Sequence, residues 1–158
     1  MRGPDRWPVA AVVAVAPYGE GLAAAIQALK YRRRRSLAAS LGEALAAAAH
    51  AALPQGGLLV PVPLHPSRFR ERGFNQSELL GREVARWLGW PLEGRRLRRT
   101  RPTRSQAKLG RLEREANLRG AFSTEPGWAA PEHVILVDDV YTTGATTSAC
   151  AAALAAAG

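Results

Sequence analysis

The chain switches repeatedly between a two-residue and a roughly four-residue spacing of its apolar positions, and this switching predicts its elements in order. Residues 9–16 form an apolar patch that reads as a first strand. From Glu20 to Tyr31, Leu22, Ile26 and Leu29 recur at helical spacing and predict a helix. Ser36 can cap a second helix running from Leu37 to about Leu53, and residues 54–57 (Pro-Gln-Gly-Gly) are a turn. Residues 58–62 predict a short buried strand whose Pro61 and Pro63 place it at a sheet margin or at a strand end. Residues 63–74 read as a basic loop without periodicity. Asn75 can cap a helix in which Leu79, Leu80, Val84, Trp87 and Leu88 share one face. A strand with a polar, basic side is predicted over residues 91–100, a mobile stretch over 101–110 and a helical turn or two over 112–118. Another strand follows over 121–124. Residues 128–131 are a linker into an apolar strand, and an Ala-rich helix then begins at Ala145, with Gly158 available as its left-handed cap. Strands alternating with helices indicate the α/β class. With 158 residues, no internal repeat and no long linker, the chain is read as one domain, 1–158.

The segment from Val134 to Thr147 carries the most chemistry. Val134, Ile135, Leu136 and Val137 are apolar and mostly β-branched; Asp138 and Asp139 follow at once, then Val140 and Tyr141. Thr142, Thr143, Gly144, Ala145, Thr146 and Thr147 lead into the helix. This order places backbone N–H groups and Thr hydroxyls at a helix N-terminus, where unpaired donors and the helix dipole favour a phosphate dianion. The acids stand at a strand's carboxyl end, where open α/β sheets hold ligands, within reach of a sugar attached to that phosphate. A plain strand–turn–helix junction with a capping Thr is the simpler alternative. It does not account for two acids, four Thr and a Gly gathered so closely behind a buried strand. Together these residues describe a site for a phosphorylated ribose.

Those residues, Asp138 to Thr146 behind an apolar strand, resemble the phosphoribosyl-diphosphate (PRPP) signature of the type I phosphoribosyltransferases. Further segments resemble one branch of them, the ComF-like competence proteins. These are Val60-Pro61-Val62-Pro63-Leu64 with Arg72-Gly73-Phe74-Asn75-Gln76, residues 103–122 with Gln106, Arg114, Asn117 and Phe122, and residues 18–22 running on to Leu29-Lys30-Tyr31. The resemblance implies a type I phosphoribosyltransferase-like fold, a mostly parallel sheet flanked by helices, with residues 103–122 as a mobile flap that closes over PRPP. It implies that Asp138 and Asp139 hold the ribose 2′- and 3′-hydroxyls and favour positive charge on the ring. It makes Val62, Pro63 and Leu64 the diphosphate loop, backed by Arg72 and by the neighbouring Arg68 and Arg70, since a guanidinium fork suits phosphate oxygens. Asn75 and Gln76 read equally as site residues or as a cap and a first-turn residue. Mg²⁺ is expected to arrive with the diphosphate, keeping several waters and needing few protein ligands; no protein ligand for it is assigned. Members of the family usually continue past the position of Gly158 into a further strand, and many carry a cysteine-rich zinc module ahead of the transferase domain. This sequence shows neither. The expected consequence is a sheet one strand short, either with an exposed edge or with that edge covered by a second copy of the chain as a homodimer; a truncated, functionally impaired product is the third alternative.

Composition adds two constraints. Cys150 is the only cysteine, so neither an internal disulfide nor a thiolate zinc site can form within the sequence, and it reads as a small core residue. Lys plus Arg outnumber Asp plus Glu by 22 to 13, giving a net charge of +9. Such a balance favours polyanionic partners. A GC-rich coding bias would enrich Arg and Ala alike, so the excess reads equally as coding bias or as a binding surface. Arg32 to Arg35 behind Tyr31, and Arg95, Arg96, Arg98, Arg99, Arg101 and Arg104, are the clusters that could track single-stranded DNA, although aromatic residues make up only 6% of the chain. No apolar run reaches the ~20 residues of a membrane span, and the first apolar patch lacks a secretory layout, so a cytoplasmic protein is expected. Two functional readings follow: a PRPP-dependent phosphoribosyltransferase linked to DNA uptake, or a non-catalytic competence factor that binds PRPP and single-stranded DNA.

Overall fold

Two short parallel strands organise the molecule. In the computed structural model, which describes residues 9–31, 34–102 and 111–158, β1 (Leu58–Pro61) lies beside β4 (Val134–Val137) with Leu58 opposite Val134 and Pro61 opposite Val137. On its other side β1 is bridged to Leu92, through bonds from Leu59 N to Pro91 O (2.8 Å) and from Glu93 N to Leu59 O (2.9 Å). Leu58–Pro61 is therefore central rather than marginal. Its two prolines mark the strand end, where the missing N–H groups cost no ladder bond. A second sheet pairs β2 (Leu97–Arg99) with β3 (Phe122–Thr124) in antiparallel fashion. The architecture is thus α/β, with a small parallel sheet flanked by helices and a separate two-stranded ribbon.

Helices cover both faces of the parallel pair, as buried parallel strands require. On one face α2 (Leu37–Ala52) and α4 (Gln76–Leu88) pack Ala46, Leu80 and Val84 onto Leu59 and Val137. The two helices approach so closely that a Cβ on Gly42 would collide with Glu83. On the other face α6 (Ala145–Ala155) packs Cys150 and Leu154 against Val60 and Val62, and Leu97, Phe122 and Leu118 of α5 (Arg111–Leu118) complete this core. A smaller cluster of Leu29, Ala38 and Phe74 fastens α1 (Glu20–Tyr31) to the molecule.

Several sequence expectations need correction. Residues 9–16 form no strand and make no ladder with any strand among the described residues, and Val12 and Val15 are exposed. Within 63–74 there is a helix, α3 (Pro66–Arg72), built by local signals in place of an apolar stripe. Pro66 occupies its first turn, the His65 ring accepts from Ser67 N, and Gly73 closes it at φ +79°. The strand expected over 91–100 resolves into the Leu92 bridge and β2. The last helix is closed by Ala156 in a right-handed conformation, not by a left-handed Gly158. Residues 103–110 of the expected flap, Gln106 among them, lie outside the described residues, and the rest forms α5 and the approach to β3. None of the helices among the described residues is long and apolar enough to cross a membrane.

Candidate functional site

Parallel pairing brings the two candidate loops together. Val62 N donates to Val137 O at 2.9 Å, so the chain leaves both strands side by side at their carboxyl ends. From β1 emerge Val62 and Pro63, both buried, and the half-buried Leu64. From β4 emerge Asp138 and Asp139, then Tyr141 and Thr142, which are exposed, and the half-buried Thr143. Gly144 stands at the N-cap of α6 at φ +75°, a position that offers no capping side chain of its own. The main-chain N–H groups of Ala145, Thr146 and Thr147 belong to the first turn, where no intrahelical acceptor exists. Residues 138 and 140–147 line a small hollow that holds about one water-sized group.

The first turn of α4 supports the acid pair. Asn75 caps α4 by accepting from Ser77 N (3.1 Å) and donates its Nδ2 to Val62 O (3.0 Å), tying the loop after β1 to the helix. Ser77 Oγ donates to Asp138 Oδ1 (3.1 Å), which also accepts from Asp139 N (2.9 Å). Gln76 Nε2 donates to Asp139 Oδ1 at 3.3 Å. Lys30, from the last turn of α1, places its ammonium on Asp139 Oδ2. Arg72 donates to Gln76 Oε1 and lies over the Tyr31 ring at 5.2 Å. Arg72 thus braces Gln76, and through it Asp139.

The electrostatics follow from this packing. Burial, reinforced by the neighbouring Asp139 charge, pushes the Asp138 carboxyl up to about 7 from an ordinary 3.8, against the lowering effect of the bonds from Asp139 N and Ser77. Arg99 is drawn the other way, its guanidinium disfavoured by desolvation although Cys150 and Asp138 favour its charge. Desolvation also raises the Cys150 thiol well above its usual range, as suits an inert core residue.

Asp138, Asp139, Gln76 and Arg72 were legible in the sequence and meet in space. Ser77 was not singled out, and Lys30 looked like a helix-end lysine; both owe their place to long-range contacts. Arg68 pairs with Glu71 at 2.9 Å on the surface of α3. The second basic cluster is largely engaged within the chain. Arg96 pairs with Glu125 and Glu93, Arg98 reaches Glu125, and Arg101 donates to the carbonyls of Asn117 (3.0 Å) and Arg119 (2.8 Å) at the end of α5. Arg35 stacks over Phe74 at 4.8 Å, whereas Arg32, Arg33 and Arg104 and the Arg114 side chain lie outside the described residues. Among the described residues there is no group of three or more His, Cys, Asp or Glu side chains that could hold a metal ion.

No protein-family model matches the chain, and no solved structure does. It is 37% identical over 142 residues to the DNA utilization protein YhgH of Escherichia coli (strain K12), covering 87% of this chain and 62% of that protein. It is 33% identical over 144 residues to Competence protein F of Haemophilus influenzae, covering 85% and 62%. With Competence protein ComFC of Bacillus subtilis it shares 40% identity over 89 residues, 56% of this chain and 34% of that one. The chain spans somewhat less than two thirds of the length of the YhgH and Competence protein F relatives. These homologues, 33–40% identical over most of the chain, support its membership of a ComF-like family.

Proposed function

We propose that the crevice at the carboxyl ends of β1 and β4 binds PRPP, or a closely related phosphorylated ribose, on a type I phosphoribosyltransferase-like domain, in the service of DNA uptake or use. The names of the relatives, DNA utilization protein and competence protein, support the second half of that reading. The first half rests on one juxtaposition. The acid pair and the α6 N-terminus, which begins at Gly144, stand beside the loop after β1, joined by the Val62–Val137 bond. In this reading the first-turn amides of α6 take the 5′-phosphate, Asp138 and Asp139 take the ribose hydroxyls, and Val62, Pro63 and Leu64 face the diphosphate, with Arg72 bracing the acids from behind.

Two adjacent carboxylates, with no third His, Cys, Asp or Glu grouped with them among the described residues, suit a Mg²⁺ that keeps most of its waters and travels with the diphosphate. Bound in that way, the ion would neutralise diphosphate charge. As a transferase, the protein would hold C1′ while a nucleophile's electron pair forms the new bond and the C1′–O bond to diphosphate breaks. The leaving group departs with its electrons, and fixed carboxylates favour the positive charge that grows on the ring.

Calorimetric titration with PRPP and Mg²⁺ tests the pocket. Saturable binding is expected, weakened at least tenfold by Asp138→Asn plus Asp139→Asn; a parent protein that takes up no PRPP refutes the assignment. A second, non-catalytic reading, contact with single-stranded DNA, is favoured by α3, where the exposed Phe69 stands between Arg68 and Arg70. Its test is the salt dependence of binding to an unstructured oligonucleotide, where a flat slope refutes an arginine-based contact.

A further inference from the structure

We propose that Lys30 is a displaceable occupant of the acid pair: its ammonium holds Asp139 Oδ2 while the crevice is empty, and a ligand gains that oxygen only when Lys30 withdraws. The inference rests on the ribose reading in taking Asp139 to be a ligand-facing group. Asp139 Oδ1 accepts from Gln76, the Lys30 ammonium lies against Oδ2, which is buried and has no hydrogen-bond partner among the described residues, and the side chain is only 5% exposed. A hydroxyl or a hydrated cation therefore reaches the carboxylate only where Lys30 or Gln76 now covers it. Gln76 is poorly placed to leave. It sits in the first turn of α4, is itself buried, and is held from behind by Arg72.

Lys30 is built differently. Its side chain is four methylenes long, 18% exposed, and attached to the last turn of α1. Rotation of that side chain frees the ammonium into water without moving the helix, because α1 is fixed one residue earlier by the fully buried Leu29 against Ala38 and Phe74. A compact, strongly hydrated ammonium returns to water readily, whereas the buried amide has no such exit. Lys30 therefore competes with any ligand for Asp139, and apparent affinity falls by the fraction of molecules in which it has withdrawn.

Carboxyl footprinting with a water-soluble carbodiimide and glycine ethyl ester reads this without any ligand. Asp139 should label slowly in the parent and in Lys30→Arg, which keeps the charge, and at least tenfold faster in Lys30→Met. Equal labelling of the parent and Lys30→Met overturns the inference, and circular dichroism melts establish that all three proteins are folded. Titration with PRPP and Mg²⁺ supplies the second arm, with Lys30→Met expected to bind about tenfold tighter than the parent. Unchanged or weaker binding by Lys30→Met overturns the inference, weaker binding making Lys30 a ligand contact. Should none of the three proteins bind PRPP, the ribose reading fails, and footprinting alone still decides whether Lys30 shields Asp139.

Discussion

Asp138 makes the folded protein a weak acid near neutrality, and this fixes the sign of a stability experiment. Its carboxyl titrates at about 7 when folded and near 3.8 when free, a gap of about 3 units. Between those values the folded state binds one proton that the unfolded chain has released, so unfolding free energy falls by about 1.4 kcal/mol for each pH unit gained. The stabilising share is complete below pH ~4, is lost as pH rises through about 7, and is flat above that. Integrated, it comes to ~4 kcal/mol, an upper bound because the residue keeps some solvent contact. Asp138→Asn keeps an oxygen for Ser77 Oγ and Asp139 N and removes the buried charge. Urea unfolding of both proteins at pH 4.5, 6 and 8 should therefore show a variant ahead by no more than about 1 kcal/mol at the acid end and more stable by about 2–4 kcal/mol at pH 8. A difference that stays constant across pH 5–7, or a variant less stable than the parent at pH 8, would refute the desolvated-acid account. A positive result would also show that the parent gives up stability to keep a charged carboxylate at the crevice, as functional sites commonly do.

Three other perturbations probe the scaffold. Asn75→Ala removes both the α4 cap, about 1 kcal/mol, and the donor to the buried Val62 carbonyl, about 1–3 kcal/mol, so a loss of about 2–4 kcal/mol is expected by chemical denaturation. Asn75→Asp keeps the capping oxygen but not the donor, and stability within 0.5 kcal/mol of the parent (roughly the error of such a measurement) would show that the Val62 bond contributes nothing. Gly42→Ala should destabilise by about 1–3 kcal/mol despite alanine's better helix propensity, because the new methyl meets the Glu83 side chain across the α2–α4 contact; a raised melting temperature would contradict that packing. Gly144→Ala forces a side chain into a left-handed position at φ +75° and should cost about 1–2 kcal/mol in a thermal melt, with α6 otherwise intact; an unchanged melting temperature would mean that the turn relaxes freely.

What the sequence made legible, and what it hid, divides along the range of the interactions concerned. The helices α1 and α4 follow from apolar spacing, and β1 and β4 from short apolar runs, because those signals are local and are rewarded by burial on the sheet; α2 is read from a Ser36 cap, yet Ser36 makes no side-chain cap bond and the helix is held by its packing on α4 and the sheet. The helix α3 was missed for the opposite reason. Its Ser-Arg-Phe-Arg-Glu-Arg run buries nothing, and it is held by Pro66, the His65 cap, the Arg68–Glu71 pair and Gly73, signals that periodicity does not weigh. Residues 9–16 mislead in reverse, being apolar enough for a strand yet without a ladder partner among the described residues. In the site, Asp138, Asp139 and the residues at 142–147 are contiguous and could be read together. The partners that set their charge and access, Ser77 and Lys30, come from 61 and 109 positions away, distances read from their numbering against Asp138 and Asp139. No local pattern marks Ser77 as more than a first-turn residue, or Lys30 as more than a helix-end cation. Contiguity thus made the proposed ligand-facing residues legible, while the fold decides whether those atoms are charged and how they are partnered. That is why the pH dependence of Asp138→Asn and the labelling of Lys30→Met discriminate more sharply than any deletion of the signature itself. Removing the acids abolishes every reading at once, whereas altering their long-range partners separates a true ligand site from a pair of acids that merely end a strand.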